Sequence, residues 1–331
     1  MEGTMTESLT YEDLALPNYV NSKPVFAGLT VSDLPKAAVL GGLNLMLVGN
    51  AGTGKTQLAS DISQHYFGGN KAEGGHSVFM KANPDIDVYN EIFTELRIER
   101  ARRELTDSIG ALMFFVDELN RAPPVSQNQF FGLADKKMDY KGRAITLGKK
   151  GYNILVATAN MGNGEFSGTF EPDKALLNRL HVALDLEHGP FQPTYQDRQH
   201  IRERKANPNV LSAPPRDLSN KIISAFEEIE QRTMDPGLET LAVLDYLETG
   251  LLNCQRYGMK DRVWPMGCQD CEHNKDANAL CSMIAAPVTR TMEVVRKYAT
   301  ALSYLAKLKD PTIEVEPDDL VFKAFELTGA Y

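Results

Sequence analysis

The sequence is short of apolar runs. No stretch of about 18 or more apolar residues occurs in the chain, so no membrane-spanning helix is expected. Met1 to Asp13 is acidic and polar, so no signal peptide is expected and the expected location is the cytoplasm. Basic charge is in deficit: 35 Lys and Arg stand against 44 Asp and Glu, a net charge of -9. That speaks against broad binding to a nucleic-acid backbone, which needs an excess of cations, though not against a local basic pore in an oligomer. The chain has no internal repeat and no low-complexity segment. It has one tryptophan, Trp264 beside Pro265, which reads as a packing anchor. Cysteine is scarce too, and the four present read as thiols or metal ligands, not disulfides, in a cytosolic setting.

The composition that remains is enough for a sizeable core. The 331 residues are 43% hydrophobic and 24% charged, and the length suggests two or three domains. Five short, nearly continuous apolar runs alternate with helical patterns: Leu43–Val48, Ser77–Met80, Ala111–Val116, Asn153–Ala157 and Val182–Leu186. Runs of that kind suit parallel strands covered on both faces, so an α/β fold with a parallel five-stranded sheet is predicted. The five prolines between Pro190 and Pro215 mark a boundary. Beyond it, Leu218, Ile222, Ala225, Phe226 and Ile229 share one helical face, and so do Val288, Met292, Val295, Ala299, Leu302 and Leu305. The predicted organisation is an irregular arm over 1–25, an α/β core over 26–190 and a smaller helical lid over 191–331.

Two motifs carry chemistry. Gly49-Asn50-Ala51-Gly52-Thr53-Gly54-Lys55-Thr56 follows an apolar run and opens a helical pattern, as a phosphate-binding loop must. Its glycines let the backbone N–H groups converge on a phosphate, and the helix N-terminus adds partial positive charge. Lys55 is expected to bridge β- and γ-phosphates and Thr56 to ligate Mg²⁺. Ala111 to Val116 then runs into Asp117-Glu118. Asp117 is expected to hold the Mg²⁺ shell and Glu118 to position and polarise the attacking water.

The string Asp117-Glu118-Leu119-Asn120-Arg121-Ala122-Pro123-Pro124, joined to Gly49–Thr56, resembles the MoxR branch of the AAA+ ATPases. The likeness continues through Gln127-Asn128-Gln129 and Asp135–Gly142 to Thr158-Ala159-Asn160. It implies an AAA+ core with a helical lid, ATP as substrate and Mg²⁺ as cofactor. Asn160 then corresponds to the polar residue that helps orient the water. Arg179, in Leu176-Leu177-Asn178-Arg179-Leu180, corresponds to an arginine finger acting on the neighbouring subunit's nucleotide. A finger in trans implies a homo-oligomeric ring, usually a hexamer. The resemblance assigns a lid arginine to Arg290, with Arg216 as competitor, and puts Arg121 near the nucleotide. Asp85–Ser108 occupies the place of a helix-2 insertion. The implied partner is a client protein, with a von Willebrand factor A-type protein as a candidate.

Cys254, Cys268, Cys271 and Cys281 form a cluster, and Cys268-x-x-Cys271 has the knuckle spacing of a zinc site. The four could complete a structural Zn²⁺ tetrahedron, with His273 able to replace one thiolate and an Fe–S cluster as the same-ligand alternative. Three functions compete: an ATP-driven remodeller that activates a partner or inserts its cofactor, a nucleic-acid motor or restriction-type NTPase subunit, and a scaffold that binds nucleotide without turnover. ATP and GTP are not told apart by the residues themselves.

Overall fold

The computed structural model describes residues 8–96, 102–140, 142–160, 169–170, 172–204, 210–234, 237–254, 258–259 and 289–328. All five apolar runs are strands of one parallel sheet. They are β1 (Leu45–Val48), β2 (Ser77–Lys81), β5 (Met113–Asp117), β8 (Ile154–Ala159) and β9 (Val182–Asp185). The order is β2-β5-β8-β1-β9. Their continuous hydrophobicity has a direct cause, because alternate residues serve two cores. Leu45, Leu47, Met113, Phe115, Ile154 and Val156 enter one, while Met46, Val48, Phe114, Val116, Leu155 and Ala157 enter the other.

Two antiparallel hairpins project from this frame: β3 (Phe93–Leu96) with β4 (Arg102–Leu105), and β6 (Lys137–Tyr140) with β7 (Arg143–Thr146). The first falls within Asp85–Ser108. Neither has the apolar runs that revealed the central strands, because neither belongs to the sheet that is covered on both faces.

The helices of eight or more residues among the described ones are α1 (Asp33–Leu40), α2 (Lys55–Phe67), α3 (Tyr195–Glu203), α4 (Ser219–Met234), α5 (Leu238–Leu252), α6 (Thr289–Lys309) and α7 (Pro317–Leu327). α1 and α2 cover the first face of the sheet, and α4, α6 and α7 build outward from them in the same core. The predicted stripes are buried: Ile222 and Ile229 on α4 and Val295, Ala299, Leu302 and Leu305 on α6 are at most 1% exposed. Val288 lies outside the described residues. Tyr298 donates from its hydroxyl to Leu34 O at 3.0 Å, which ties α6 to α1.

The arm is packed as well. Leu14 is fully buried, and the Tyr11 hydroxyl donates to Asp33 at 2.7 Å. Asp33, itself buried, also takes Lys36 at 2.8 Å and Lys309 at 3.0 Å, so one carboxylate joins arm, α1 and the end of α6. Burial alone would push that carboxyl up. The charge and hydrogen bond of Lys36, with the Thr30 amide and the Tyr11 hydroxyl, outweigh it and hold the pKa at about 2. Among the described residues no helix is long and apolar enough to cross a membrane.

Candidate nucleotide site

The sheet order brings the two motifs together. β1 lies beside β8, and β8 beside β5, all parallel, so their carboxyl ends open on one side. Ligands of open α/β sheets bind outside such strand ends. There Gly52, Lys55, Thr56, Asp117, Glu118 and Asn160 line one cavity of about 270 Å³. Gly49 and Gly54 hold φ of 142° and 94°, conformations that a side chain would strain.

Lys55 folds back into its own loop. Its Nζ donates to Gly49 O at 2.6 Å and Asn50 O at 2.7 Å. Burial lowers its pKa, and the charges of Asp117, Glu187 and Glu118 work against that. Glu187, at the end of β9, accepts from Asn50 Nδ2 at 2.9 Å and steadies the loop's outer edge.

Thr158 joins the acid pair to the neighbouring strand. Its hydroxyl donates to Asp117 Oδ1 at 2.6 Å and accepts from the Glu118 amide at 2.8 Å. The motif gave a role to Asn160 and none to Thr158. A threonine at the end of an apolar strand was the available signal, but its partner is forty residues away. Glu118 sits in the left-handed region, with φ 56° and ψ 45°. Such strain in a non-glycine residue costs about 1–2 kcal/mol and turns the side chain sharply off the strand. The carboxylate meets Arg121 at 3.1 Å and Lys81 at 3.4 Å. Its Oε2 is nonetheless buried without a hydrogen-bond partner, so the Lys81 contact is an ion pair without hydrogen-bond geometry.

The rest of the motif is scaffold. Asn120 donates from Nδ2 to Asn160 O at 2.8 Å and accepts from the Asn160 amide at 3.4 Å, which fixes the strand end that presents Asn160. Gln127 donates to Ala122 O at 2.9 Å and accepts from the Asp173 amide at 2.7 Å, holding the turn against the segment before Arg179.

Arg179 lies at the other end of the sheet. Its carbonyl accepts from Asn44 Nδ2 at 2.8 Å, and Asn44 directly precedes β1. From there to Gly49 is five residues of extended chain, about 16 Å, so Arg179 is out of reach of its own phosphate loop. Its Nε donates to both Asp135 oxygens at 2.9 and 2.8 Å, its Nη1 donates to Ala175 O at 2.8 Å, and the guanidinium stacks 4.9 Å from the Phe131 ring.

Neither lid candidate reaches the phosphate loop. Arg290 is exposed in the first turn of α6. Its charge is felt by His181, which accepts from the Asn44 amide at 3.1 Å. The packing of α6 on α1 thus sets Arg290 toward the Arg179 end. Arg216 pairs with Asp13, and its amide donates to Gln64 O, nine residues along α2 from Lys55 and so about 13 Å away. Burial, with Lys136, Lys297 and Arg290 nearby, holds His181 down to about 3, so it stays neutral and structural.

Of the cysteine cluster, Cys268, Cys271 and Cys281, with His273, lie outside the described residues. So do the side-chain surroundings of Cys254, whose backbone pairs with Gly258 in a short hairpin. Among the described residues no group of three or more His, Cys, Asp or Glu could hold a metal ion.

Residues 44–180 match the profile of the AAA domain of the dynein-related subfamily. No curated protein sequence matches the chain. Among solved structures the fold is similar to a protein of Cytophaga hutchinsonii named for a presumed ATPase activity, with a TM-score of 0.60 and 16% identity over 88% of this chain and 78% of that one. It is also similar to a full-length MCM homologue from Methanopyrus kandleri, with a TM-score of 0.51 and 13% identity. That match covers 88% of this chain and 53% of the other, so the chain spans about half of that protein. At these identities the likeness is one of fold. With the sheet order and the joined loop and acid pair, the match makes residues 44–180 an AAA-type α/β core, with a helical region packed beside it.

Proposed function

We propose that the chain is an ATPase of the MoxR type that works as a ring, hexameric in the simplest case, and spends ATP to remodel a client protein. ATP hydrolysis is a property of the AAA family, and the site has the parts for it. The phosphate loop would take the β- and γ-phosphates, drawing Lys55 away from the carbonyls it now holds. Thr56 and Asp117 line the same cavity and offer hard oxygens, so they fit Mg²⁺, which would neutralise charge on the phosphate oxygens. Glu118 would orient the attacking water through the oxygen that has no hydrogen-bond partner, and Asn160 would hold that water from the end of β8. The observation that carries the ring is the placement of Arg179, clamped in a fixed pose at the end of the sheet that its own nucleotide cannot reach.

A Glu118→Gln variant should bind ATP and turn it over very slowly. Used as bait with ATP in a native extract, it should retain a client, with a von Willebrand factor A-type protein or an unfinished metalloenzyme expected. Recovery of a nuclease or of nucleic acid would replace remodelling with the motor reading. Nucleotide binding without turnover by the wild-type ring would support the scaffold instead.

A further inference from the structure

A cavity larger than the one at the phosphate loop lies in the helical region. It measures about 670 Å³ and lies between the end of α4, the middle of α6 and the start of α7. That is within the range of about 300–1,000 Å³ typical of small-molecule sites. One wall is cationic. Arg296 lines it, and the Arg296 Nε is buried with no hydrogen-bond partner. A desolvated, unpartnered guanidinium nitrogen is costly and calls for a reason. Arg232 and Lys307 flank it, Arg232 paired with Glu228 at 2.6 Å and 5.6 Å from the Tyr304 ring centroid, Lys307 paired with Glu316 at 2.7 Å. Exposed pairs of this kind are weak, so both cations can turn to an oxyanion.

Part of the remaining lining is a wall of acceptors, and Gln231 and Thr240 line the cavity beside it. Thr233 Oγ1 donates to Ile229 O at 2.7 Å, Thr300 Oγ1 to Arg296 O at 3.0 Å and Ser303 Oγ to Val315 O at 2.8 Å. Each hydroxyl has one proton, and that proton is committed to a backbone carbonyl. Each therefore has only lone pairs left to offer the cavity. The carboxylates of Glu316 and Asp318 extend the same character. A bare oxyanion would leave this wall unmet, and a neutral polyol would leave Arg296 unmet.

We propose that this cavity binds a phosphorylated polyol, such as a sugar phosphate, with the phosphate on Arg296, Arg232 and Lys307 and the ligand hydroxyls donating to the threonine, serine and carboxylate oxygens. The site is separate from the nucleotide cavity, so it is tested in a Lys55→Ala protein whose phosphate loop is disabled. Ribose 5-phosphate, followed by calorimetry and thermal melting, should bind saturably and raise the Tm. Inorganic phosphate and ribose should each bind at least tenfold more weakly. Arg296→Met should weaken ribose 5-phosphate binding more than tenfold while the unliganded protein melts at the same temperature or higher, because methionine keeps the apolar stem and removes the desolvated charge. Arg232→Gln, at a half-exposed position, gives the same reading if Arg296→Met fails to fold. Absence of saturable binding, equal binding of inorganic phosphate, or undiminished binding by both variants would overturn the proposal.

Discussion

The two ends of the central sheet handle their polar groups in opposite ways. At the carboxyl ends of β1, β5 and β8, the chemistry is left available. Lys55 rests on loop carbonyls that a phosphate can displace, and Glu118 keeps a buried oxygen without a hydrogen-bond partner. At the amino ends of β1 and β9 the polar groups are committed to one another. Asn44 takes His181 at 3.1 Å, Ala134 O at 2.9 Å, Arg179 O at 2.8 Å and the Leu155 amide at 2.9 Å. Arg179 is clamped along one edge and stacked on one face. One end is organised to exchange partners with a ligand. The other holds a cation still, which suits the proposed role of Arg179 toward a second molecule, because a pre-ordered donor loses little entropy on engagement.

Arg179→Ala should have the largest effect. Turnover should fall by about 10³-fold or more with ATP binding kept, the magnitude expected of an arginine finger. A steady-state assay beside a binding titration separates the two, and a loss of binding equal to the loss of turnover would put Arg179 in its own subunit's site. Thr158→Val keeps the shape of the side chain and removes both bonds that fix the acid pair. Turnover should fall by about 10–100-fold, as when an outer-shell partner of a metal ligand is lost. Asp135→Asn leaves Arg179 in place with weaker, uncharged bonds. A loss of about tenfold in turnover with unchanged KM is expected from one weakened charge-assisted pair.

The smallest effect on turnover should come from Lys136→Met, and its main readout is stability. Lys136 is packed against the helical region, its Nζ donating to Gly42 O at 3.0 Å. Burial, with repulsion from Lys297, pulls its pKa down to about 8, against the attraction of Glu230. The unfolded chain then binds this proton more tightly than the folded one between about pH 8 and 10.5, so this group makes stability rise with pH across that window. Below pH 8 its full penalty is present. Lys136→Met should flatten that rise and gain about 1–2 kcal/mol at pH 7, the desolvation relieved less the hydrogen bond lost. Denaturant melts at pH 7 and pH 9 check both, and an unchanged slope would remove Lys136 as its source.

What the sequence made legible follows from where its constraints are local. The five strands stood out because both faces of the sheet are apolar, and the loop Gly49–Thr56 because its glycines serve backbone geometry within eight residues. The stripes of α4 and α6 were legible for the same reason, since each faces one core. The hairpin of β3 and β4 was not, because Thr94, Glu95, Arg103 and Glu104 carry no apolar alternation. Thr158 and Asp135 acquire their meaning from partners in other elements, Glu118 and Arg179, and no local pattern announces such pairs. Arg290 shows the limit most plainly. The helix start was visible, but which end of the sheet it faces depends on how α6 docks on α1.

If each working site is shared between two copies of the chain, as proposed, two disabled variants should complement each other when mixed. Glu118→Gln subunits keep Arg179, and Arg179→Ala subunits keep Glu118. Each alone should be nearly inactive. Mixed and assembled with ATP, they should regain ATPase activity wherever an intact Glu118 site meets an Arg179 donated by its neighbour. A mixture no more active than its two parents would contradict the account.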